Sequence, residues 1–128
     1  MNYTQKQIYE IIEQHRLWLI GDGGCRANLS GANLSGADLS RADLSRANLW
    51  ACVGNKKHIK SIQIEGYDIT YTHDVLQIGC QRHLISEWFE FDDRRILDMD
   101  GKTALTWWCK WKDYIKMTID MSPAEPTK

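Results

Sequence analysis

One five-residue phrase is written five times between residues 27 and 50, "ANLSGANLSGADLSRADLSRANLW". Leu29, Leu34, Leu39, Leu44 and Leu49 recur in strict phase, and each stands two positions after an Ala: Ala27, Ala32, Ala37, Ala42 and Ala47. A period of five fits neither regular structure. On a helix, successive Leu residues step around the axis by roughly 140° and cover no single face. On one continuous strand, an odd spacing throws consecutive Leu side chains to opposite faces. The chain must therefore turn once per repeat if every Leu is to point inward. The Asn/Asp, Ser and Gly positions suit such turns, because their side chains bond nearby backbone or tolerate left-handed dihedrals. A low-complexity linker is the alternative, but it has no reason to keep Leu in phase.

This stretch resembles the pentapeptide-repeat proteins, whose consensus is A(D/N)LXX. The resemblance implies a right-handed quadrilateral β-helix, four repeats to a coil, with Leu and Ala stacked inside and the five Leu residues as its core. The phase fails five residues before Leu29, at Gly24, and five after Leu49, at Gly54. Residues 25–54 thus supply about one coil. A solenoid buries its core by stacking neighbours and needs capped ends, so a single coil must be sandwiched between other elements.

Residues 1–24 read as the first cap. Thr4 followed by Gln7 is a capping box, and Ile8, Ile11, Ile12, His15, Trp18 and Leu19 recur at helical spacing. The pattern predicts an amphipathic helix over 5–20, stopped by "GDGG", with His15 as a packed, hydrogen-bonded residue of its apolar face. "HRLWL" and the Gly-rich turn also resemble the leader of many pentapeptide-repeat proteins. Residues 55–121 read as the second cap. "IKSIQI", "YDITYT" and "VLQIGC", separated by turn-like pairs, predict a small antiparallel meander. From Leu84 the pattern becomes helical through "LISEWFEF", "RRILDMD" and a longer segment from Thr103 to Met121. Asp100-Gly101 breaks the last two, and Trp107, Trp108, Trp111, Ile115 and Ile119 form an apolar face. Residues 122–128 predict a disordered tail. The expected class is mainly β with α (α+β). "LQIGCQRH", "EWFEF", "LDMDG" and "ALTWWCKWK" resemble segments of short phage and prophage proteins, a resemblance that carries no activity.

The formal net charge is −1. Residues 1–24 carry two basic and three acidic side chains, residues 25–53 three and two, and residues 54–128 eleven and twelve. No segment shows the clustered Lys and Arg of a nucleic-acid footprint, and no apolar run of about 18 residues could span a membrane. The opening residues alternate polar and apolar types, unlike a secretory signal, so a cytoplasmic protein with reduced Cys25, Cys52, Cys80 and Cys109 is expected.

The densest polar cluster is "GCQRH", residues 79–83, expected at a strand-to-helix junction. A helix N-terminus there would favour anions. Arg82 would add a charged donor fork, Gln81 and His83 further hydrogen bonds, and Trp88 a ring one turn on. These four are the candidate ligand-binding residues; a helix-capping junction with satisfied side chains is the plain structural alternative. Cys80 and His83 have CxxH spacing, but zinc needs a second ligand pair that is missing. They could also act as a nucleophile pair, yet no Walker loop, GxSxG, HExxH or CxxC accompanies them. No cofactor is expected. The resulting expectation is a non-catalytic binding or interaction protein, with a phage accessory or counter-defence role, that blocks a host protein or sequesters a small nucleotide-like ligand. Homo-oligomerisation stays open. The alternatives are a small enzyme built on Cys80 and His83, or a DNA-mimicking gyrase modulator, as in the best-known pentapeptide-repeat members. The second needs a long acidic rod, against which the short coil and its charge of +1 weigh.

Overall fold

The computed structural model describes residues 3–40 and 42–127. Helix α1 spans Gln5–Leu19 and opens with the capping box: the Gln7 amide donates to Thr4 Oγ1 at 3.1 Å and the Thr4 amide to Gln7 Oε1 at 2.8 Å. It ends where Gly21 takes φ +75°. The chain then doubles back so closely that a Cβ on Gly24 would lie 2.2 Å from the Gln14 carbonyl oxygen and 2.9 Å from Leu17 Cβ. Only glycine fits there, which accounts for the loss of the Leu phase at that position.

Residues 27–53 form a coil that turns once per repeat. The amides of Ala32, Ala37, Ala42, Ala47 and Cys52 each donate to the carbonyl of the Leu three residues earlier, at 2.9–3.2 Å. The third turn residue is left-handed at Gly31, Gly36, Arg46 and Ala51, the conformation a type II turn requires. Asn28, Asn33, Asp38, Asp43 and Asn48 each accept, through the side chain, from the amide two residues on. After twenty residues the chain meets itself. Asn28 bridges Asn48 and Asn33 bridges Val53, both in parallel, so four repeats close one coil. All five Leu residues point inward and are buried, while the described Ser and Arg positions of the repeats face outward.

The far end of the coil is closed by a residue outside the repeat. Where the phase calls for a sixth Leu, Gly54 lies against the Ile59 backbone; a Cβ there would sit 2.1 Å from its carbonyl oxygen. Ile59, fully buried, joins the Leu core instead. Asn55 holds this loop, its Oδ1 accepting from the amides of Lys57, His58 and Ile59 while its Nδ2 donates to the Ala37 carbonyl at 3.2 Å.

Four strands follow as an antiparallel meander in sequence order: β1 (Lys60–Ile64), β2 (Tyr67–Tyr71), β3 (Val75–Ile78) and β4 (Gln81–Leu84). The sequence predicts the first three. Residues 79–83, expected at a strand-to-helix junction with the helical pattern starting at Leu84, are instead a turn and most of a fourth strand, Gln81–Leu84. Helix α2 (Ile85–Trp88) is a single turn, and α3 (Asp93–Met121) is kinked at Asp100 and Gly101 where the sequence predicts a break. One sheet face, with Ile69, Tyr71, Leu76 and Ile78, packs on α2 and α3 as a second core. The opposite face, with Thr70 and Gln77, meets the coil through polar contacts. Thr70 Oγ1 donates to the Leu49 carbonyl at 3.3 Å, and the Leu49 amide donates to Gln77 Oε1 at 3.4 Å. The molecule is therefore α+β, with two apolar cores on either side of a polar seam.

The tail, expected to be disordered, is held from the second core across to the coil. Tyr71 Oη donates to the Ser122 carbonyl at 2.6 Å, Ala124 is buried, and the Glu125 amide donates to the Lys57 carbonyl at 2.8 Å. Thr127 Oγ1 donates to the Ala42 carbonyl.

Candidate functional site

The strand at 81–84 divides the residues that the sequence groups together. Successive side chains on a strand point to opposite faces. Gln81 and His83 lie on the face toward α2 and α3, and Arg82 lies on the face toward the coil, opposite Gln77. The expected convergence of Gln81, Arg82, His83 and Trp88 at a helix N-terminus does not occur. His83 stands edge-on to Trp88 and Phe91, at 5.3 and 5.0 Å between ring centres, with Nε2 3.1 Å from Gln81 Oε1. Burial, with some contribution from Arg95, pushes its pKa down; Glu87 opposes this. Trp88 is buried and donates through Nε1 to the Leu76 carbonyl at 2.6 Å.

Arg82 enters a cleft of about 470 Å³ between the coil and the sheet. Asp43 to Arg46 of the fourth repeat form one wall. His58, the β2–β3 turn from Thr72 to Val75, and Leu84 form another, and Pro126 and Thr127 of the tail complete the rim. The volume is in the range of small-molecule sites. Arg82 Nε is buried without a hydrogen-bond partner. Burial depresses the guanidinium pKa, and the positive charges of Arg26 and Arg46 add to this; Asp74 acts the other way. Three arginines far apart in sequence thus converge electrostatically. Arg26 Nε is already bonded to the Arg46 carbonyl at 2.6 Å, and the Arg46 guanidinium lies 5.1 Å over the Trp18 ring. A partly buried guanidinium whose Nε lacks an acceptor and which has like charge from Arg26 and Arg46 near it is a ready partner for an anion.

Cys80 is exposed in the turn before β4, and His83 is packed among aromatic rings. Among the described residues, no group of three or more His, Cys, Asp or Glu side chains is placed to hold a metal ion. No helix among them is long and apolar enough to cross a membrane. Cys52 is buried in the coil core, where desolvation pushes its thiol up to about 11, so it stays protonated and unreactive at neutral pH.

Sequence reasoning missed Arg46 and His58 as neighbours of Arg82 in the cleft, since no local motif joins them, whereas His73 and Asp74, one strand before the 79–83 cluster, do line it. It identified His15 well. Fully buried, His15 accepts the Ala27 amide at Nδ1, 2.9 Å away, and places Nε2 2.7 Å from the Ser45 carbonyl. With Nδ1 accepting, Nε2 must carry the proton. This one side chain ties the cap helix to the first and fourth repeats, and so fixes the wall of the cleft that carries Arg46.

Residues 26–52 match the family model described as pentapeptide repeats (8 copies). The coil is a pentapeptide-repeat segment. The match spans the coil and leaves the sheet, the C-terminal helices and Arg82 outside it. No curated protein and no solved structure matches the chain.

Proposed function

We propose that the protein is a non-catalytic binding protein whose coil–sheet cleft takes a small, nucleotide-like anion. The coil is then one turn of the right-handed quadrilateral β-helix of the family it resembles, used as a rigid wall. The observation that carries this reading is Arg82, which lines a cleft of about 470 Å³ and whose Nε is buried without a hydrogen-bond partner. Asp74 also lines the cleft, and its carboxylate can accept from a hydroxyl group, which favours a phosphorylated sugar or nucleotide over a bare ion. A cytoplasmic protein that sequesters such a ligand without consuming it suits a counter-defence role in a phage or prophage setting, as the C-terminal resemblance suggests. A gyrase-modulating DNA mimic is disfavoured because residues 25–53 carry three basic and two acidic side chains and close little more than one coil.

Calorimetry against cyclic and linear nucleotides tests the proposal. Saturable binding is expected, weakened roughly tenfold or more in Arg82→Met, the loss appropriate to a charge-assisted bond. Gln81→Ala should bind as the wild type does, because Gln81 lies on the other sheet face. Binding that survives Arg82→Met unchanged would move the site elsewhere. Failure of every nucleotide would make a protein partner the better reading.

A further inference from the structure

The coil-facing side of the sheet is polar through Thr70, Gln77 and Arg82, and it carries an apolar exception. Val75 and Leu84 lie directly opposite each other in the β3–β4 register. Two residues from Gln77 and from Arg82, they fall on that same face. Both line the cleft of about 470 Å³ that Arg82 enters. Neither belongs to the Leu core of the coil or to the core between the sheet and the C-terminal helices. An aliphatic pair thus stands next to the guanidinium whose Nε lacks a partner, where neither core calls for one.

Leu84 stands out in two further ways. It is 45% exposed, although a large aliphatic side chain gains most from leaving water. It also occupies the N-cap of α2, a position that Ser, Thr, Asp and Asn fill best because their side chains bond free amides. The Leu84 side chain makes no such bond. Neither capping nor core burial accounts for a Leu there. Its partner Val75 is 8% exposed, so the pair presents mainly Leu84 to the cleft, on a packed base. Pro126 of the tail adds a further apolar ring to the lining.

We propose that Val75 and Leu84 form a ring subsite of the cleft, a shelf on which a heterocyclic base lies while its phosphate meets Arg82. The inference rests on the anion reading above and narrows its ligand from phosphorylated sugars in general to phosphates that carry a base. Positions two apart on a strand are about 6–7 Å from each other, a gap that one sugar bridges between phosphate and base. Asp74 lines the same cleft, and its carboxylate can accept from the hydroxyl groups of that sugar. The shelf side chains carry no hydrogen-bonding group, so they take the face of a ring by its area. Purines should therefore bind more tightly than pyrimidines.

Ribose 5-phosphate and AMP, which differ by the base, are the probes for calorimetry. AMP should bind the wild type about tenfold more tightly, the factor expected when roughly 55 Å² of apolar surface leaves water. Leu84→Ser removes the shelf and places a favoured capping residue at the start of α2. In that variant AMP should fall to the affinity of ribose 5-phosphate, which itself should keep its wild-type value. Val75→Thr, close in shape but polar, should narrow the gap in the same direction, and it serves if Leu84→Ser is not folded by circular dichroism. Arg82→Met should weaken both probes and leave their ratio unchanged. Equal affinities in the wild type overturn the ring subsite and leave the anion reading standing. An AMP advantage that persists in folded Leu84→Ser does the same. Binding of neither probe would overturn both.

Discussion

Arg82 sits between two demands. Its guanidinium is desolvated and repelled by Arg26 and Arg46, with only Asp74 as a compensating charge, and its Nε finds no acceptor. A residue kept for stability would not be left this way, since a buried donor without a partner is a net cost. Arg82→Met keeps most of the stem volume and removes the charge, so the ligand-free protein should gain on the order of 1 kcal/mol in a urea titration while anion binding is lost. A destabilised variant would mean that the guanidinium holds the seam together. His83 leads to a pH prediction of definite sign. Burial lowers its folded-state pKa below the unfolded value of about 6.5, so the unfolded chain binds the proton more readily. Its contribution to stability is therefore complete above pH ~6.5 and is lost as the pH falls from there through the depressed folded value. His83→Phe should flatten the stability profile below pH ~6.5 relative to the wild type. An unchanged slope would assign the acid sensitivity to other groups.

At the scale of elements, the coil was legible because its signal is redundant. Each repeat states its turn through Asn or Asp, its core through Leu, and its close packing through Ala. The structure answers with an Asx contact, a buried Leu and a turn bond in register. Leu39 is fully buried in this core, and Leu39→Ala should cost about 2–5 kcal/mol, read as a lowered midpoint in thermal or urea unfolding. A wild-type midpoint would show the coil to be dispensable. The cap helix was equally legible, from one capping box and one apolar stripe. Strand β4 was not. "QRHL" is four residues long and has no apolar alternation, and it is a strand because β3 offers it a free edge, with Gln77 opposite Arg82 and Leu76 opposite His83. Tertiary pairing outweighs local preference there. The misreading mattered for the site, since a strand sends Arg82 one way and Gln81 and His83 the other. The cleft was illegible for a related reason: Arg46, His58 and Arg82, which line it, come from three separate stretches of an evenly charged sequence, and only folding brings them together.

The whole molecule depends on a coil that cannot stand alone. A solenoid unit contacts only its neighbours, and here the neighbours are not further repeats. On one side α1 supplies Ile8 to the Leu core, His15 to the Ala27 amide and Ser45 carbonyl, and Gln5 to both backbone groups of Asp38. On the other, Ile59 fills the vacant Leu position, and Thr70 and Gln77 of the sheet satisfy the backbone of Leu49. Even the tail reaches the coil, through Thr127 to the Ala42 carbonyl. A peptide spanning residues 20–55 keeps every repeat and loses all of these partners. It would expose the five Leu residues at both open ends, and its backbone gains only the few inter-turn bonds that one coil makes with itself. That return falls short of the roughly 1–2 kcal/mol of backbone entropy lost per ordered residue. The peptide should therefore give the circular-dichroism spectrum of a disordered chain and show no cooperative transition. Adding α1 back, as residues 3–59, should restore partial order, because that segment retains the first cap and Ile59. Cooperative unfolding of the bare 20–55 peptide would show instead that the repeats fold unaided, and the caps would then have to be explained by the cleft they build rather than by the core they close.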